Sequence, residues 1–271
     1  MIFIFIPFIL ILSLVFIYTP RETPAEKKSD HSMVYASLLI GERKKEPEQP
    51  SYPRLALIID DGGYDIEKFK RMLGMGRPVT FAILPNTPHA REAALMAHQN
   101  GSEVMLHLPM EPQEEALYHL EKGIVLTGMS PEEIQKIILD NLKHVPYARG
   151  VNNHMGSKAT EDPRVMQPLM ATLKKEKLYF IDSHTSPQSL GPKIARKTGV
   201  ASWQNDKFID AKKNLDTIKE AIRSVMRKAK KEGKAVAIGH MRPLTARAIR
   251  EMIPEMEKEG IRLVFASEVV G

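Results

Sequence analysis

The chain has 271 residues, with 39 Lys and Arg against 33 Asp and Glu, a formal charge of +6 and no cysteine. A chain this long buries a core without a metal or disulfide staple, and the lack of cysteine excludes a disulfide framework, a cysteine-ligated zinc ribbon, an iron–sulfur site and a cysteine nucleophile. At 43% hydrophobic and 27% charged residues, the composition also excludes disorder throughout.

Residues 1–18, MIFIFIPFILILSLVFIY, are interrupted only by Pro7 and Ser13. About 18 apolar residues is the lower limit for crossing a bilayer. The segment is expected to be an export signal or membrane anchor, making the protein exported, periplasmic or membrane-anchored facing outside the cytoplasm. The nearest positive charges, Arg21, Lys27 and Lys28, follow the apolar run rather than precede it. Residues 19–53 hold Pro, six positive and six negative charges and few large apolar residues, which reads as a flexible linker.

A folded domain is expected over 54–271. Apolar runs at 55–59, 79–84, 103–108, 150–153, 178–182, 200–203, 235–239 and 261–266 alternate with helical periodicity near 64–74, 89–100, 131–144, 162–176, 191–198, 212–232 and 244–259. Ser130-Pro131-Glu132-Glu133 reads as a capping box with Pro at the first helical position. Gly233 and Gly260 stand where helices should stop. Alternating strands and helices imply right-handed crossovers and a parallel sheet. The expected fold is α/β, a distorted (β/α) seven- or eight-stranded parallel barrel, with an open doubly wound sheet as the alternative; in both, functional residues collect at the carboxyl ends of the strands. The basic run from Lys212 to Lys234 reads as a solvated helix face. No helix-turn-helix or RNA-recognition pattern accompanies it, so no nucleic-acid partner is expected.

The strand ends supply Asp60, Asp61, His107, His154, Asp182, His184 and His240. Adjacent carboxylates at 60 and 61 repel unless something positive lies beside them. Two histidines and a carboxylate with open positions form a catalytic arrangement for zinc or another first-row divalent ion. Such an ion acidifies a bound water, a leftover carboxylate can act as base, and a further histidine can protonate a leaving group. His31, His98, His119 and His144 lie in the linker, a loop or predicted helices and read as structural; His89 stands at a helix start.

In IIDDGGY, VTFAILPN, EVMLHLPMEP, GVNNHMGS, FIDSHTSP and AIGHMRP, taken in order, residues 54–271 resemble the divergent polysaccharide deacetylase family. The resemblance implies removal of N- or O-acetyl groups from an envelope or extracellular polysaccharide, with a divalent metal, zinc foremost, and metal-bound water as nucleophile. It assigns Asp61, His107 and His154 to the metal and Asp60 to the general base. It pairs Asp182 with His240 to place a protonated imidazole near the leaving nitrogen. Asn152, Asn153 and Ser183 become supporting or substrate-binding groups. The esterases related to this family carry both metal histidines in one H-x-x-x-H element, whereas here position 111 is Glu111, so the second ligand must come from elsewhere. Two other readings stay open: a catalytically silent glycan- or envelope-protein-binding module on the same barrel, and a metal-independent glycoside hydrolase pairing Asp60 or Asp61 with Asp182 at roughly 5–10 Å.

Overall fold

The structure is a computed structural model of the chain, and the residues described are 52–113 and 122–270. The apolar segment 1–18, the linker up to residue 51, His31 and His119 lie outside the described residues. Among those described, no helix is long and apolar enough to cross a membrane.

Among the described residues, nine strands and seven helices follow one another: β1 (Arg54–Gly62), α1 (Ile66–Leu73), β2 (Thr80–Ile83), α2 (Ala90–Gln99), β3 (Glu103–Met110), α3 (Pro131–His144), β4 (Ala148–Met155), α4 (Pro163–Lys175), β5 (Tyr179–Asp182), α5 (Gly191–Thr198), β6 (Ser202–Gln204), β7 (Lys207–Phe208), α6 (Leu215–Glu232), β8 (Lys234–His240), α7 (Pro243–Lys258) and β9 (Arg262–Val264). The sheet runs β6-β5-β4-β3-β2-β1-β8-β7, with β9 pairing the start of β1. Every pairing is parallel. The sheet curls into the expected distorted (β/α) barrel. β7, only two residues long, was not anticipated. Between β6 and β7 the chain crosses from one edge to the other: the Asn205 N–H donates to the Asp182 carbonyl at 2.8 Å and the Asp206 N–H to the Val236 carbonyl at 3.0 Å.

Side chains of a strand alternate between faces, and here both faces are covered. One set packs under the helices, including Leu55, Leu57, Ile59, Leu106, Phe180 and Ala237. The other fills the barrel, including Ala56, Ile58, Met105, Ile181, Val236 and Ile238. This second column sets the site, because its continuation toward the carboxyl ends is polar.

The helices start where the sequence signals them. Ser130 and Glu133 form a reciprocal capping box with Pro131 in the first turn, and Asp65, Asp162 and Asn214 each accept a backbone N–H at a helix start. Gly233 ends α6 at φ 80°, a left-handed conformation that a residue with a Cβ resists. The basic run on α6 is more ordered than a solvated face. Lys219, Arg223 and Lys230 pair with Glu251, Glu255 and Glu259 on or just after α7, and Arg223 engages Glu255 through two bonds of 2.7 and 2.9 Å.

Candidate active site

Asp60 continues the inward column of Ala56 and Ile58, while alternation would turn Asp61 outward. The backbone prevents this. Ile59 pairs with Phe81 but Gly62 with Ile83, so β1 carries one extra residue, a bulge. Within it Asp61 adopts φ 64°, a conformation that costs a residue with a Cβ about 1–3 kcal/mol. Gly63 completes the turn at φ 109°, where a Cβ would lie 2.2 Å from Thr87 Oγ1. Both carboxylates therefore face the mouth of the barrel.

His107 follows Met105 on the inward column of β3. His154 stands on β4 directly across from Pro109. The His107 Nε2 atom is 3.0 Å from His154 Nδ1 and 3.6 Å from Asp61 Oδ1; His154 Nδ1 is 3.5 Å from the same carboxylate oxygen. One donor atom from each of these residues lies within 4.8 Å of the others. Asp61 Oδ1 is buried and accepts no hydrogen bond. Two imidazole nitrogens facing one carboxylate oxygen match the donor set of a first-row divalent cation, so these residues could hold such an ion.

Asn152 aligns the set. Its Oδ1 stands 2.9 Å from His107 Nδ1, and its Nδ2 donates to Asp60 Oδ1 at 3.0 Å and to Ser183 Oγ at 3.2 Å. With Asn152 oriented to donate to a carboxylate, its Oδ1 accepts the His107 Nδ1 proton, and Nε2 is the ring atom turned to the centre. Asn152 is fully buried and cannot touch a substrate. Asn153 and Ser183 do line the cleft, although the Asn153 amide is occupied by the Ser183 N–H and the Met155 carbonyl.

Charge in this cluster is strongly coupled. Burial pushes Asp60 above its ordinary pKa, reinforced by Asp61 and opposed by His107 and His240. Burial acts the same way on Asp61, yet the two imidazoles beside it hold it well below the carboxylate range. Burial disfavours a charged His107, but Asp60, Asp61 and Asn152 push it up to about 9. The centre of the cluster favours a positive charge, which a divalent cation supplies in place of the proton.

His240 faces the same cleft, in register with Asp60 across the β1–β8 pair. Its partner is not Asp182. His240 Nδ1 lies 2.7 Å from Asp210 Oδ1, and the other Asp210 oxygen accepts from the His240 N–H at 2.9 Å and the Thr245 hydroxyl at 2.6 Å. Burial works against the charged form of His240, and the Asp210 carboxylate outweighs it and raises the imidazole pKa. Asp210 itself, despite desolvation, is held low by His240 and Thr245.

The expected role of Asp182 is thereby corrected. On β5 it shares the outward face of Phe180, packs against the start of α5, and accepts from Ser189 Oγ at 2.5 Å and the His184 N–H at 2.8 Å. It does not line the cleft, which removes the second carboxyl of the glycosidase alternative. His184 also turns away, with its Nδ1 3.0 Å from Gln204 Nε2. Glu111, at the place of the missing second histidine, is buried in an ion pair with Lys158 and accepts the Thr127 N–H. His89 pairs with Glu92 at the start of α2. Sequence reasoning missed Asp210 because β7 was not seen; an acid closing the short apolar run Phe208-Ile209 was the available signal.

Asp60, Asp61, His107, His154 and His240 thus line one cleft of about 390 Å³. Phe208 stacks on the His240 ring, with centroids 5.9 Å apart. Such an arrangement can hold a cation, accept a proton on one side and donate one on the other.

Comparison with known proteins identifies the fold and the family. An uncharacterized protein of Escherichia coli K12, YibQ, is 38% identical over 217 residues, covering 80% of this chain and 67% of that protein. An uncharacterized protein of Agrobacterium tumefaciens C58 shares the fold at a TM-score of 0.74 and 22% identity, over 81% of this chain and 89% of that one. A peptidoglycan deacetylase of Bacillus subtilis, PdaC, superposes at 0.50 and 14% identity, over 81% and 90%. The profile of the divergent polysaccharide deacetylases matches residues 57–270, and the chain belongs to that family.

Proposed function

We propose that the protein is a divalent-metal-dependent hydrolase that removes N- or O-acetyl groups from an envelope or extracellular polysaccharide. The observation that carries this reading is the convergence of Asp61, His107 and His154 on one point, with Asp60 and His240 in register beside it. Asp61, His107 and His154 would hold the ion, and the nitrogen-rich donor set favours zinc. Bound there, the ion would polarise the acyl carbonyl and acidify a water.

The chain's own groups divide the proton transfers. Asp60, its pKa raised by burial, takes the proton of the attacking water. His240, kept charged by Asp210, gives its Nε2 proton to the departing nitrogen or oxygen as the C–N or C–O bond breaks. Acetate and a free amine or hydroxyl result, and His240 and Asp60 exchange the proton with solvent before the next cycle. The apolar run of residues 1–18 supports export or anchoring outside the cytoplasm, where N-acetylated polysaccharide is met.

The test is metal content by mass spectrometry together with acetate release from N-acetylated glycans, with and without chelator. Near-stoichiometric divalent metal and chelator-sensitive acetate release support the reading. A protein that takes up no metal after loading with zinc and other first-row ions would sink it.

A further inference from the structure

All strands are parallel, so the barrel has a catalytic end, where strands finish, and an opposite end, where they start and the helices finish. The two ends differ in charge. Among the described residues, six of the seven helices carry Lys or Arg in the last turn. Cations there complement helix dipoles, but on one side of this end they exceed that need. Arg149 opens β4, Lys174, Lys175 and Lys177 surround the end of α4, and Arg196 and Lys197 close α5. All six are exposed, and among the described residues none has a carboxylate in ion-pair range; the acidic residue set among them is Glu176. α4 and α5 pack together, and Arg149 shares one groove with Lys174 and Lys177, which joins the six in one patch. It borders a groove of about 500 Å³ whose apolar wall includes Leu178, Val200 and Val270.

Two further observations bear on what meets this patch. Tyr147, two residues before Arg149, is 53% exposed. It projects from a left-handed backbone at φ 65° and stacks on His98 with centroids 3.8 Å apart. An exposed tyrosine beside a cluster of lysines and arginines is the pattern of a surface at a lipid headgroup layer. The chain also enters the domain at this end. Tyr52 stacks on Arg262, and the Pro53 carbonyl accepts the Arg262 N–H. The apolar run of residues 1–18 precedes that entry in sequence.

We propose that this end of the barrel docks on an anionic phospholipid surface through Arg149, Lys174, Lys175, Lys177, Arg196 and Lys197, with Tyr147 at the interface and the catalytic mouth facing away. An anionic polymer is disfavoured because a glycan held in the cleft lies at the other end of the barrel.

The test uses the full chain and phosphatidylcholine vesicles with none or about 30% phosphatidylglycerol. The apolar run contributes in both cases, so the difference reports basic residues, and the share lost on substituting the six cations is the patch's own. Acidic lipid should raise partitioning at least about tenfold, and the gain should fade near roughly 0.5 M salt. Replacing all six cations with Gln should remove most of the gain, leaving only the response of the linker cations. A charge-preserving variant (Lys174→Arg, Lys175→Arg, Lys177→Arg and Lys197→Arg) should keep it, which separates lost charge from misfolding. Tyr147→Ser should reduce it about two- to threefold. No response to phosphatidylglycerol, or a gain left undiminished by the six substitutions, overturns the proposal. Retention of a soluble polyuronate by the patch without any response to acidic vesicles overturns it in favour of a polymer site.

Discussion

The inward column of β3 places a buried ionisable group at each end of the barrel, and the two are treated differently. At the base, Glu103 Oε1 accepts from the Thr80 hydroxyl, the Tyr179 hydroxyl and the Ser267 N–H. Neutral donors surround it, and the strand around it is regular. At the mouth, Asp60 and Asp61 face imidazoles rather than hydroxyls, on a bulged strand with a left-handed residue. Burial alone does not mark a carboxylate as functional. What distinguishes the mouth is strain together with titratable partners, an arrangement that structural stability does not require.

Five substitutions can break or sharpen this contrast. His107→Ala should have the largest effect, with metal content near zero and acetate release down at least about a thousandfold, read by mass spectrometry and an acetate assay. Asp60→Asn should keep the metal and lose roughly 10²–10⁴ in kcat; metal loss in this variant would move Asp60 into the ligand set. Asn152→Ala should weaken metal affinity about 10–100-fold by freeing the His107 ring, measured by competition with a chelating dye.

Asp210→Asn should act on pH dependence. Asp210 raises the His240 pKa, so its removal should move the alkaline limb of the kcat/KM profile to lower pH, with the acid limb less affected. The sign for stability follows from the same pair. The raised His240 contributes stability that is complete below its unfolded pKa and lost as pH rises through the folded one. The lowered Asp210 contributes stability above its unfolded pKa that is lost as pH falls through the folded one. The variant's melting temperature should therefore differ most from wild type between those limits. Glu103→Gln should do least: it keeps an acceptor for three donors, leaves metal content and kcat unchanged, and shifts stability by about 1 kcal/mol. Loss of metal there would dissolve the contrast between the two ends.

Much of this was legible in the sequence. Alternating periodicities and strong caps specified the strands and helices, and strand-end acids and histidines marked the mouth. What failed has physical reasons. Strand parity separates Asp182 from the rest: Tyr179 and Ile181 fill the barrel, so Asp182 must point out, whereas Asp60, His107 and His240 share parity with inward residues. Asp61 escapes that rule only because of a bulge, which no spacing announces. Asp210 was hidden by a two-residue strand, too short for any periodicity to register. The basic residues of α6 were read as solvated because their acidic partners on α7 lie roughly thirty positions away.

The register of Asp60 against His240 has a consequence for synthesis and assembly. β1 is made first and β8 nearly last, and their pairing spans almost the whole domain. Contacts of such long sequence separation form late and slowly, because loop closure precedes any reward. Asp61, His107 and His154 come from β1, β3 and β4, whose chain neighbours pair in order. A nascent chain emerging through β4 could thus gather the three side chains proposed to hold the metal while still lacking the imidazole opposite Asp60. On the proposed mechanism, proton donation to the leaving group would arrive only when β8 docks, and the chain would stay hydrolytically silent until its last strands are in place.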